Sequence, residues 1–417
     1  MNRPLFAFLT LLVVATLTTV SWAEWPQFLG PDRSGSSPDT LPILSELPDD
    51  GLTKRWSHAL GSGFAGPVVT GNRCLIFHRQ QDQAQLDCLN DTTGKVDWTF
   101  RYPTNYVDTF GFDNGPRSTP TISNNIVYLH GAEGMLHAID LISGKMLWKR
   151  DLVKEFQSPQ GFFGRSSSPL VVNNAVMLDI GGKHEGKGAN LAAFDAKTGA
   201  TRWVQGLGEA DYAAPNALKL ADRTLAVFFK RSGVAGIDIA SGKALFDEPF
   251  RSSIHASVNA ASPVIVDNQF FLSSCYDIGC GLWEVTAEGT LKNLYKKNDV
   301  LDCHFVTPVY HQGHLYGFHG RQEMGQELRC LRLKDGSLQW KIPHLGAGSL
   351  IIADDKLLIL TEKGELLVAK ATPTKFEILF RTQVLGFETR ALPAYSNGWF
   401  YARDKRQLVS IQLGKMQ

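Results

Sequence analysis

The stretch Thr119–Trp148, TPTISNNIVYLHGAEGMLHAIDLISGKMLW, holds one full copy of a pattern that returns about every 40–55 residues along the chain. It opens with Thr-Pro and a short apolar run. Asn124-Asn125 then turns into a second apolar run, Ile126–His130. After the loop Gly131–Gly134 comes an alternating stretch, Met135–Asp140, and Ser143-Gly144 turns into a last run ending in Trp148. Alternation with β-branched residues marks strands, and paired Asn, Ser and Gly mark tight hairpins. Each copy therefore reads as four strands, A to D. The closing aromatics are Trp56, Trp98, Trp148, Trp203, Phe246, Tyr295, Trp340 and Phe380. A lone four-stranded sheet cannot bury both faces, so such copies stack around an axis. The expected fold is all-β: an eight-bladed β-propeller of four-stranded antiparallel blades.

The ends of the pattern predict how the ring closes. Trp56 has no A, B and C strands before it. The last segment, Leu392–Leu413, has A, B and C but no D. Lys54–His58 is thus expected to be strand D of the last blade, so an N-terminal strand closes the propeller and removes two exposed edges. Three parts follow: residues 1–23 as a leader, 24–53 as a Pro/Gly/Ser-rich N-terminal surface extension, and 54–417 as the propeller.

The leader reading rests on Arg3, the apolar run Leu5–Val20, and the small-x-small end Ser21-Trp22-Ala23. This is the pattern of a cleaved signal peptide, with Glu24 first in the mature chain. No cysteine follows the apolar run until Cys74, which argues against a lipoprotein anchor. Periplasmic or secreted location is expected, with no transmembrane segment in the mature chain and a monomeric state. Lys and Arg number 42 and Asp and Glu 41 over 417 residues, so no basic surface for nucleic acid is implied. Export also permits disulfides. Cys275 and Cys280, on one loop SSCYDIGC, are expected to close a small ring.

Strand alternation sorts the loops onto two faces. The A–B and C–D turns are short and repetitive. The B–C loops and D–A links are long and varied, as binding loops usually are. Residues just before strand A should face the channel mouth on that long-loop side. They include Arg117, Arg165, Asn216, Asn259, His304 and Arg390, accompanied by Phe110, Phe112, Phe162, Phe163, Phe305 and Phe387. Arginines around one axis would repel unless something anionic or polar lies among them. They have another reading too: pairing with Asp108, Asp113 and Glu388 to close blade junctions. The expected ligand site is Arg117, Arg165, Asn259, His304, Arg390, Phe112 and Phe163. No catalytic set is expected. There is no HExxH, no G-x-S-x-G elbow and no dinucleotide fingerprint, and no helix follows the Lys of D-x-x-[ST]-G-K.

The repeat A-x-D-x-x-[ST]-G-x-x-x-W, seen in His137–Trp148, Ala192–Trp203 and more loosely Asp87–Trp98, Ala235–Phe246 and Arg329–Trp340, resembles that of the PQQ-like (quinoprotein alcohol dehydrogenase-like) β-propellers. Trp25–Gly35, WPQFLGPDRSG, resembles the opening of exported, planctomycete-type members, named after the noncatalytic scaffold BamB. For quinoprotein members the resemblance implies a Trp floor, an adjacent Cys-Cys disulfide and Ca²⁺ beside a catalytic Asp. Here no two cysteines are adjacent, and Trp25, Trp283 and Trp399 are not mouth residues. Neither PQQ nor calcium is therefore expected. The expected function is noncatalytic binding of a partner protein or a polar or anionic ligand on the long-loop face. An unusual quinoprotein-type oxidoreductase, another enzyme using His304 and the arginines, or a carbohydrate-binding propeller are the alternatives.

Overall fold

The computed structural model describes residues 23–415, so all of the expected leader but Ala23 lies outside the described residues. Eight antiparallel four-stranded sheets form the ring. In blade 2 the strands are Thr121–Ser123, Ile126–His130, Met135–Asp140 and Met146–Asp151. Strand A of each blade lies beside strand A of its neighbours around most of the ring, so the A strands line the axis. Hairpin chemistry matches the sequence. Asn124 and Asn125 both take positive φ, 50° and 60°, as a tight A–B hairpin turn requires.

Closure occurs through the N-terminal strand Lys54–Ala59. It pairs antiparallel with Gln407–Gln412, placing Trp56 opposite Ser410 and His58 opposite Leu408. The D-strand aromatics then lock blade to blade. Trp98 Nε1 donates to the Leu141 carbonyl of the next blade at 3.1 Å, and Trp148 donates to Ala196 O at 3.0 Å. Trp203, Trp340 and Tyr295 donate likewise to Ile239, Thr372 and Leu333. This contact explains the Gly of the repeat. Gly144 has φ +68°, and a Cβ there would lie 2.7 Å from the Trp98 ring. The turn glycine is thus needed both for its backbone and for the indole of the preceding blade. Apolar layers fill the junctions, as where Met177 and Ala193 of blade 3 meet Phe228 and Ile237 of blade 4.

The N-terminal extension corrects one expectation. Its first part, residues 24–43, is threaded into the ring rather than laid along the surface, whereas residues 45–50 are exposed. Trp25, Leu29 and Ile43 are each 1% exposed. Trp25 pairs with Val69, Ile122 N donates to Pro26 O, and Ser37 N donates to Ile352 O. Asp39 accepts from Gly398 N, and Asp354 accepts from Ile43 N. The segment therefore crosses the axis and closes the short-turn end of the channel. The physical cause is the hole that short A strands leave on the axis, which apolar side chains must fill. Arg33 is the tip. Its guanidinium donates to Pro215 O at 2.8 Å, to Ser168 O at 3.4 Å, and to Pro169 O. Burial without a carboxylate partner lowers its pKa to about 9.

A buried histidine carries a pH dependence. His130 Nδ1 lies 3.1 Å from Ser167 O, while Nε2 has no partner. A proton on Nε2 would be stranded, so burial lowers the pKa to about 4. The folded value lies below the unfolded one, near 6.5. The contribution is therefore present above that value and lost as pH falls toward 4. Between pH 7 and 5 the loss is on the order of 2 kcal/mol. The His130→Leu variant, whatever its absolute stability, should lose less by that amount. Denaturant midpoints at the two pH values check this; equal losses in both proteins would refute it.

Candidate functional site: the long-loop mouth

The D–A links and B–C loops bring a ring of aromatic side chains to the long-loop end of the axis. Phe112 lies 6.0 Å from Phe163, and Phe163 lies 5.5 Å from Tyr212. Tyr212 and Tyr276 share one packed cluster with Val258. Tyr276 continues to His304 at 5.6 Å, and His304 to Phe305 at 5.4 Å. On the remaining side stand two arginines. Arg117 and Arg390 each lie 5.7 Å from the Phe64 ring, and Arg390 lies 5.8 Å from Phe112.

Of the three arginines, then, two converge. Each carries an acidic partner. Arg117 Nη2 lies 2.8 Å from Asp108 Oδ2, a buried carboxylate that also accepts from the Phe110, Phe112 and Asp113 amides. Arg390 binds Glu362 Oε1 through Nε at 2.7 Å and Nη2 at 2.6 Å. Glu388, the partner suggested by sequence, pairs instead with Lys405. Arg165 does not join them. It is 4% exposed, and its Nη2 donates to Ser158 Oγ and Pro159 O.

The other expected residues also divide. Asn259 is buried framework: its side chain donates to Lys230 O at 3.0 Å and Phe250 O at 3.3 Å. His304 does face the mouth cluster. Its Nε2 is 2.9 Å from Tyr276 Oη, and burial lowers its pKa. Phe163 packs within the ring, whereas Phe110 and Phe112 are 55% and 42% exposed. Cys275 and Cys280 are separate thiols, a correction to the expected bridge. Cys280 points into the interblade layer with Leu282 and Phe271, while Cys275 packs beside Tyr276 in the mouth cluster.

Several mouth residues were not legible beforehand. Tyr212 accepts from the Phe162 amide at 2.7 Å and the Phe163 amide at 3.2 Å, fixing the aromatic loop. Tyr212 precedes strand A as Arg165 does, which was the available signal. Beneath it lies a buried carboxylate pair. Asp179 accepts from Asn190 Nδ2 at 2.5 Å and from Asp211 N at 3.1 Å. Burial pushes Asp179 up to about 7 and raises Asp211 as well, the latter helped by the nearby Asp179 charge. Among the described residues, no group of three or more His, Cys, Asp or Glu side chains is arranged to hold a metal ion.

Residues 104–342 match the family described as outer membrane protein assembly factor BamB, of PQQ-repeat type. The chain belongs to the PQQ-like, BamB-type β-propeller family. This family member is 27% identical over 132 residues to the dehydrogenase subunit of quinone-dependent alcohol dehydrogenase from Gluconobacter oxydans, covering 31% of this chain and 17% of that protein. It is 30% identical over 125 residues to BamB of Moranella endobia, covering 30% of this chain and 28% of that one. Among solved structures, BamB of Moraxella catarrhalis superposes with a TM-score of 0.64 at 13% identity, over 87% of this chain and 99% of the other. Quinohemoprotein alcohol dehydrogenase of Comamonas testosteroni gives 0.66 at 12% identity, over 95% and 81%. At such identities the likeness shows the fold.

The quinone implied by the dehydrogenase relatives does not fit the residues here. Trp283 is stacked on Phe270 inside a blade junction, Trp25 is in the axial segment, and Trp399 lies 3.9 Å under Arg55. None floors the mouth. The cleft at the mouth, lined by Phe305, Glu362, Thr389 and Arg390, encloses only about 10 Å³, against the roughly 300–1,000 Å³ typical of cofactor pockets.

Proposed function

We propose that this chain is an exported, noncatalytic propeller that docks a partner protein on its long-loop face. One observation carries the reading: large apolar side chains stand exposed on that face, among them Val107, Phe110, Leu207, Ile254, Met324 and Phe387. An apolar crown rimmed by polar loops is the character of an interaction surface. Polar mouth groups tied up in pairs, and clefts too small for a cofactor, support binding over catalysis. No helix among the described residues is long and apolar enough to cross a membrane. The leader pattern of residues 1–23 and the BamB kinship support export.

Photo-crosslinkers placed at Phe110 and Phe387 test this in the cell of origin. Adducts with one discrete protein are expected from these positions, and none from Asn173 or Lys145 on the short-turn face. A folded Phe110→Ser/Phe387→Ser variant should lose the partner. Equal adducts from both faces would refute the reading. So would turnover of an alcohol in a dye-linked assay after addition of PQQ and Ca²⁺.

A further inference from the structure

We propose that the buried carboxyl pair Asp179 and Asp211 is a proton-controlled latch beneath the aromatic side of the long-loop face. The pair holds the Tyr212 loop closed while it keeps its protons and releases it as they leave. The latch is a property of this chain alone and stands apart from the docking of a partner.

One backbone amide joins the two carboxyls. Asp179 ends the strand Ala175–Asp179 of blade 3, and Asp211 lies in the link that leads on to blade 4. Asp179 Oδ2 accepts from the Asp211 N–H at 3.1 Å. Asp211 Oδ2 accepts from Asn259 N at 2.8 Å, while its Oδ1 is buried and takes no hydrogen bond. The next residue in the link is Tyr212, whose Oη is the acceptor for the Phe162 and Phe163 amides. Those two rings pack against Phe110 at 5.9 and 5.1 Å. A single residue therefore separates the acid pair from the exposed aromatic crown.

Neither carboxyl has an ion-pair partner among the described residues. Three cations lie in the neighbourhood, and each is committed elsewhere. Arg165 Nη2 donates to Ser158 Oγ and Pro159 O. Lys230 Nζ lies 2.7 Å from Asp247 Oδ2. Arg231 lies 3.0 Å from Glu209 Oε2 and donates to His255 O. The Tyr276 phenol also faces Asp211, and burial keeps it neutral. Two carboxyls buried together without a cation cannot both ionise in place.

Burial accordingly raises both groups, Asp179 to about 7, above the ordinary value of about 3.9. The closed loop binds more protons than an open one. Closure is thus favoured at acid pH and weakens as pH rises through neutral. The link yields rather than the strand. Asp179 is fixed in the ladder opposite Leu191, whereas the link is entered through Gly206 and Gly208, with φ of 76° and 140°. Swinging Asp211 out to water carries Tyr212 with it. The Phe162 and Phe163 amides then lose their acceptor.

Hydrogen exchange at those two amides, measured at pH 6 and pH 8 and divided by the intrinsic rate at each pH, tests the proposal. Their protection should fall about tenfold or more over this range. The Gly386 amide, held by Asp404 on the opposite side of the mouth, should keep its protection. Asp211→Asn removes one titrating carboxyl, and its amide group replaces an oxygen that accepts nothing, so its fall should be clearly smaller. Protection at Phe162 and Phe163 that does not change with pH would overturn the latch on the wild-type protein alone, even if the variant misfolds. An equal fall at Gly386, or a fall in folded Asp211→Asn as large as in wild type, would overturn it too.

Discussion

Trp56→Ala is expected to cost about 3–5 kcal/mol of stability, because it removes a large buried side chain from the strand through which the ring closes. Trp56 is 7% exposed. Its Nε1 donates to Asp91 O at 2.6 Å, its ring lies 6.0 Å from Tyr401, and a Cβ on Gly94 would sit 2.7 Å from it. The Asp91 contact joins stretches adjacent in sequence, as at the other blades; the Tyr401 contact holds the N-terminal strand to the C-terminal strands of blade 8, so its loss loosens the strand that closes the ring. Trp56→Phe keeps most of the ring but drops the N–H, leaving Asp91 O unpaired, and should cost about 1–3 kcal/mol. Denaturant midpoints at unchanged slope measure both. A midpoint for the Ala variant equal to wild type would remove Trp56 from the closure.

Arg33→Ala is expected to destabilise by a similar amount, on the order of 3 kcal/mol. The substitution removes the donor that gathers the carbonyls of Ser168, Pro169 and Pro215 from two blade junctions, Pro169 O keeping only its bond from Thr121 Oγ1. It also empties space on the axis. Part of the loss is offset, because a buried guanidinium with no carboxylate beside it is itself costly to desolvate. Arg33→Met refills the volume without restoring the donors, so its destabilisation should be smaller than that of alanine by the packing share alone. If both variants melt as wild type does, Arg33 is not what holds the axial segment in place.

The fold was legible because its determinants are local and repeated. Asn124-Asn125 requires a turn that any reader of the chain can see, and each closing aromatic recurs at the same place in its copy. Even the ring closure followed, since Leu392–Leu413 lacks a D strand and Lys54–His58 supplies one. The observed pairing of Trp56 with Ser410 is the register this implies. The site was legible only in part. Arg117 and Arg390 converge on Phe64 as their shared place before strand A suggests. Arg165 holds the same place but turns toward Ser158, because a short helix, Leu152–Phe156, brings those carbonyl and hydroxyl groups within its reach.

Sequence alone determined what repeats: eight blades, their strand order, the closing strand and the face that carries the long loops. Hydrophobic period and turn residues act over a few positions, so they can be read without coordinates. Tertiary structure alone decided what depends on groups far apart in the chain. It paired Arg390 with Glu362 rather than Glu388, drew Tyr212 and Tyr276 into one cluster, and sent Arg33 down the axis to Pro169 and Pro215. Such contacts follow from which side chains the closed ring brings within hydrogen-bond distance. Nothing in the local pattern of a single blade encodes them.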